Sequence, residues 1–157
     1  MDNDEKVSLC CFFGVFADEL DITGIEEIGD GKWKIDYKLP LFSDEWKEIV
    51  ENFGDYCVVM WENELAEKFK NKFPEDNYYL APCIYREPNA EEIENFNKGD
   101  VRRFLFKNPD LKYQHEYRIL YFDQMPEDHF LNLDKFEQAQ VVDTENLAEA
   151  SFSFVGE

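Results

Sequence analysis

The chain has 157 residues, with 36 Asp and Glu against 16 Lys and Arg, a net charge of −20 and a pI near 4.3. Its length fits one domain able to bury roughly 68–70% of its unfolded surface. The 15 Phe, 8 Tyr and 3 Trp, beside only 7 Gly and 6 Pro, exclude a disordered acidic tail. The charge disfavours direct binding to nucleic acid or anionic membrane, which relies on Lys and Arg at phosphates.

Taken in chain order, the elements read as a mixture of strands and helices. Val7–Phe13 is apolar, β-prone and closed by Gly14, so a buried strand is expected. An acidic stretch follows, Asp18 to Glu27, then a turn at Gly29-Asp30-Gly31 and a strand over Lys32–Leu39 with Trp33, Ile35 and Tyr37 on one face. Ser43 suits an N-cap, with Trp46, Ile49, Val50 and Phe53 at helical spacing behind it and Gly54 at the C′ position. The run Tyr56–Trp61 is the best candidate for a central strand.

Glu62–Lys72 places Leu65, Phe69 and Phe73 on one helical stripe, stopped by Pro74. Tyr78–Tyr85 reads as a strand, and Asn89 with Glu92 as a capping box for a short helix through Phe96. Strands are expected at Val101–Phe106 and Glu116–Phe122, a short helix at Thr144–Ala150 and a last strand at Ser151–Val155. The expected architecture is one α+β domain over residues 1–157, with a mainly antiparallel sheet and two to four helices. Trp46, Phe53, Val58, Leu65, Phe69 and Ile119 are expected in its core.

The four cysteines, Cys10, Cys11, Cys57 and Cys83, lie in apolar stretches without a C-x-x-C pair. They are expected as reduced, buried thiols in a cytosol-like compartment. The acidic N-terminus and the shortness of the apolar run behind it argue against a signal peptide or membrane anchor, so the expected location is cytoplasmic.

Sequences for phosphate loops, dinucleotide folds, zinc proteases and nucleophile elbows do not occur. Asp18–Glu27 lacks the ligand spacing and central Gly of a calcium loop, and no metal or cofactor is expected. His115 reads as a core or interface histidine. The most distinctive string is Phe106-Lys107, then Tyr113-Gln114-His115-Glu116-Tyr117-Arg118-Ile119. On a strand Glu116 and Arg118 share a face, and Lys107 is expected to reach them from a neighbouring strand. A structural ion pair at the rim of the sheet is the plainer reading, and a pocket for an anionic ligand or substrate the other.

Cys11-Phe12, the run Phe53-Gly54-Asp55-Tyr56-Cys57-Val58-Val59, the strand ending in Tyr85, and the Lys107 and Glu116-Tyr117-Arg118-Ile119 strings resemble a diffuse group of uncharacterised bacterial proteins. These share a domain of unknown function and often occur near phage or mobile-element genes. The resemblance covers roughly residues 7–120 and implies a common fold without an activity to carry over. It also suggests a late start relative to that group.

Charge points to the partner. A chain of this size has a radius of gyration of about 15 Å and a diameter near ~40 Å. Duplex DNA of that length carries roughly 23 phosphate charges, comparable with −20. In size, acidity and folded body the chain is similar to acidic phage inhibitors of restriction and CRISPR nucleases. The leading expectation is therefore a non-enzymatic inhibitor in the host cytoplasm that presses carboxylates against a basic, nucleic-acid-handling protein. Its expected contact residues are Asp18, Glu19, Asp21, Glu26 and Glu27, with Glu91, Glu92 and Glu94. The alternative is a small enzyme or anionic-ligand-binding domain using Lys107, Glu116 and Arg118.

Overall fold

A computed structural model describes residues 7–38, 54–149 and 151–156. The fold is α+β, with every strand pairing antiparallel and helices set between the strands. Among the described residues the strands form three sheets, all antiparallel as expected. Of the described residues, 7–14 and 60–139 form one compact unit, and 15–38, 54–59, 140–149 and 151–156 form another.

In the first unit, β1 (Ser8–Phe13), β6 (Glu116–Tyr121) and β5 (Tyr78–Pro82) make a sheet in the order β1–β6–β5. Its central strand is buried on both faces, with Ile119 4% exposed on one side and Leu120 inaccessible on the other. Ile119 meets Leu65 and Phe69 of the helix Glu62–Lys72, the stripe expected from the spacing. Phe69, 2% exposed, lies 5.4 Å from Phe73 and 5.2 Å from Tyr78, centroid to centroid. β1 departs from expectation: it is a strand, but Leu9, Cys10, Cys11 and Phe13 are exposed. An edge strand is covered only where it meets the core, here through Phe12.

The helix Ala90–Asn97 begins as expected. The Asn89 side chain accepts the Glu92 N–H at 2.9 Å, and the Glu92 carboxylate accepts the Asn89 N–H at 2.7 Å. Asn89→Ala should cost about 1 kcal/mol in chemical denaturation; no measurable loss would mean that the cap is redundant. Val101–Phe106 is not the expected strand. Gly99 turns the chain at φ 95°, and Asp100 then accepts the Arg102 N–H at 2.9 Å. This caps a 3₁₀ turn over Val101–Leu105 that buries Leu105. A local cap overrode β propensity there.

In the second unit, β2 (Asp21–Gly29), β3 (Lys32–Lys38) and β8 (Ser151–Gly156) form a sheet in the order β2–β3–β8. β2 occupies the acidic stretch that sequence alone left unassigned. Register shifts between Ile22 and Gly24 and between Glu27 and Gly29 break the period of two by which a strand is recognised. The turn at Gly29-Asp30-Gly31 carries three positive φ angles, 97°, 53° and 74°, a geometry that glycine accommodates readily.

Among the described residues β4 (Tyr56–Val59) pairs only with β7 (Gln140–Asp143), in a two-stranded ribbon, and not as the central strand expected. Cys57, Val59 and Val142 pack against Leu147, while Tyr56, Val58 and Val141 face outward, 71%, 57% and 73% exposed. The expectation of a buried Val58 is thus overturned, because without a second layer on the ribbon only one face is covered. Thr144 ties the ribbon's end, its hydroxyl donating to Gly54 O at 2.8 Å. A 3₁₀ turn over Thr144–Glu149 stands where a short helix was expected, followed by β8. The expected helix from Ser43, with Trp46 and Phe53, lies outside the described residues.

Candidate functional site

Lys107, Glu116 and Arg118 do converge, in the first unit. Glu116 and Arg118 are two apart on β6 and project from the face that Leu120 also occupies. Lys107 arrives from the segment after the Val101–Leu105 turn. Its N–H donates to Ile84 O at 3.0 Å, and the Ile84 N–H donates to Leu105 O at 2.8 Å. These bonds hold the segment beside the end of β5.

The Glu116 carboxylate is the hub. Its Oε2 lies 2.9 Å from Lys107 Nζ and 2.8 Å from an Arg118 terminal nitrogen, and it accepts the Arg118 Nε–H at 3.1 Å. The Cys83 thiol donates to the same oxygen at 3.4 Å. Around this hub Lys107 Nζ donates to the Gln114 side-chain oxygen, and the other Arg118 terminal nitrogen donates to Phe104 O. The three charged side chains are only 12–15% exposed. Burial pushes the Glu116 carboxyl up, but Lys107, Cys11, Arg118 and Cys83 outweigh it and hold its pKa at about 2. Charge-assisted bonds in a poorly hydrated place have that effect.

Sequence reasoning found the three charges but missed their support. The Tyr85 hydroxyl oxygen accepts the Glu116 N–H at 2.6 Å, and Gln114 lies within the same distinctive string. Desolvation, partial at Cys11 and greater at Cys83, together with Glu116 pushes the thiol of Cys11 up to about 11 and that of Cys83 up to about 12. Of the four cysteines only Cys83 is buried; Cys57 is half-buried, and Cys10 and Cys11 are exposed, against the expectation of four buried thiols. His115 sits half-buried in the left-handed region at φ 41°, its ring 5.4 Å from that of Phe13. Chemically, the cluster joins the 3₁₀ segments to the sheet and turns its donors inward.

The expected carboxylate contacts divide between the two units. Asp18, Glu19, Asp21, Glu26 and Glu27 belong to the second. All are exposed except Glu19, which is half-buried and accepts the Phe16 N–H at 3.0 Å. Glu91, Glu92 and Glu94 belong to the first, on the helix Ala90–Asn97. There Glu92 accepts two bonds from Arg86, at 2.7 and 2.8 Å, besides capping its helix. The hydrogen bond from Arg86 and the Asn89 N–H hold its pKa at about 2. Glu94 pairs with Lys98 at 2.6 Å. Two of these three carboxylates thus have internal partners, and only Glu91 resembles the free contact expected.

Charge is uneven between the units. Residues 15–59 and 140–157 carry 16 Asp and Glu against 4 Lys and Arg, whereas residues 1–14 and 60–139 carry 20 against 12. Among the described residues no group of His, Cys, Asp and Glu is arranged to hold a metal ion, and no helix is long and apolar enough to cross a membrane. No family model, curated protein or solved structure matches the chain.

Proposed function

We propose that the protein is an acidic binding protein that inhibits a basic, nucleic-acid-handling partner, such as a nuclease, by occupying the surface that receives nucleic acid. The observation that carries this reading is the acidity of the second unit, where acidic residues outnumber basic ones 16 to 4 and Asp18, Asp21, Glu26, Glu27 and Asp30 are exposed. So acidic a unit attracts Lys- and Arg-lined grooves at long range and repels polyanions. The inward-turned donors around Glu116 favour the structural reading of Lys107, Glu116 and Arg118 over a ligand pocket.

The test is capture of partners from a bacterial lysate at low and high salt, followed by competition with duplex DNA. Binding should weaken steeply with salt, since exposed charges are screened beyond about 8 Å near 0.15 M, and DNA should displace the protein. Neutralising Asp18 and Asp21 together, or Glu26 and Glu27, to Asn and Gln should weaken capture; Glu19 is left intact because it accepts the Phe16 N–H. Glu92 is left intact because it caps its helix. Simultaneous binding of DNA and the protein to the partner would exclude the reading.

A further inference from the structure

The β2–β3–β8 sheet has one apolar face, and among the described residues much of that face is open. Antiparallel register lines up Ile22, Tyr37 and Phe152 in one row and Ile25, Ile35 and Phe154 in the next, with Trp33 beyond. The opposite face carries Asp21, Glu26, Lys34, Asp36 and Ser153, partly joined by the Lys34–Asp36 pair at 3.1 Å. Such two-faced strands normally bury the apolar side. Here Phe152 packs against Leu147, but Ile22, Ile25, Trp33 and Phe154 remain 58%, 61%, 46% and 50% exposed.

The border of this face has one sign. β2 is an edge strand among the described residues, and it holds Asp21, Glu26 and Glu27 with no Lys or Arg; Asp30 follows in the turn. Edge strands are commonly guarded by bulges and charge, and β2 has both. Acidic charge selects what it excludes. A second copy would set carboxylate against carboxylate, and like charges facing each other across strands are destabilising. A basic chain meets no such barrier.

We infer that the open face along β2 is the docking surface, for a protein segment in which apolar residues alternate with Lys or Arg. The apolar side chains cover Ile22, Ile25 and Phe154, while the cations, on the other face of the added strand, meet Asp21 and Glu26. Backbone bonding to the free edge of β2 then adds affinity independent of side chains. The inference rests on the acidic-binding reading and specifies where the partner sits and what it presents.

Short synthetic peptides separate the two levels in a fluorescence binding assay with the full chain. A peptide alternating Lys and Val should bind about tenfold tighter than one alternating Lys and Ser or one alternating Glu and Val. Its binding should slow amide exchange within residues 21–29 of the wild-type protein. Ile25→Ser and Phe154→Ser, checked for folding by circular dichroism, should each reduce the preference for Lys-Val over Lys-Ser. Equal affinity for Lys-Val and Lys-Ser, or no added protection of β2, overturns the docking surface but leaves the acidic reading standing. Failure of both cationic peptides overturns both readings, and equal binding of Lys-Val and Glu-Val overturns the partner's chemistry. Self-association that Ile25→Ser abolishes would make the occupant a second copy and likewise overturn the inference.

Discussion

Replacing Phe69 with alanine is expected to destabilise the first unit by about 3–5 kcal/mol, read from urea denaturation against wild type. Its ring is 2% exposed and packs against Phe73, Tyr78 and the β6 core around Ile119. Truncation removes the transfer energy of the ring and leaves a cavity that the helix Glu62–Lys72 and the sheet cannot close without moving. A loss below about 0.5 kcal/mol, the range of surface substitutions, would mean that the stripe does not face the core.

Glu116→Gln should cost about 3 kcal/mol at neutral pH, and the cost should depend on acid. The carboxyl's pKa falls from an ordinary value of 4.5 to about 2 in the folded protein. Each pKa unit corresponds to about 1.4 kcal/mol between the protonation states. Because the folded value is the lower one, this stabilisation is fully present above about pH 4.5 and is lost as the pH falls toward 2. Denaturation of wild type and variant between pH 7 and 2.5 should therefore show a difference that shrinks with acid. A difference constant across that window would assign the loss to packing and not to the charge of Glu116. That cost already contains the loss of the carboxylate that Lys107 and Arg118 share in a largely buried position, and in acid the protonated Glu116 of the wild type leaves them unpaired as well.

Where chemistry is local, the sequence was legible. The capping box at Asn89 and Glu92, the stripe of Leu65 and Phe69, and the buried strand at Glu116–Tyr121 each depend on residues a few positions apart. The meeting of Glu116 with Arg118 could also be read, since alternate residues of one strand share a face. Tyr85 and Cys83 could not be placed around Glu116 in that way, because they are about thirty residues away in the chain. Strand pairing alone brings them there.

Composition by itself determined that this is an acidic, aromatic-rich chain, because charge and apolar content do not depend on the path of the backbone; the α+β class followed from the order of its periodic segments. Tertiary structure decided which side chains the fold consumes. Glu92 and Glu94 were taken up by Arg86 and Lys98, while Glu26 and Glu27 stayed on an open edge. It also decided that β2 is a strand, since its bulges hide the alternation that only pairing with β3 makes visible. The apolar run at Tyr56–Trp61 looked like the centre of a sheet, yet among the described residues its strand has a single partner, and Val58 stays in solvent. Hydrophobicity specifies that a residue gains by burial, whereas the number of layers available to cover it is a property of the whole fold.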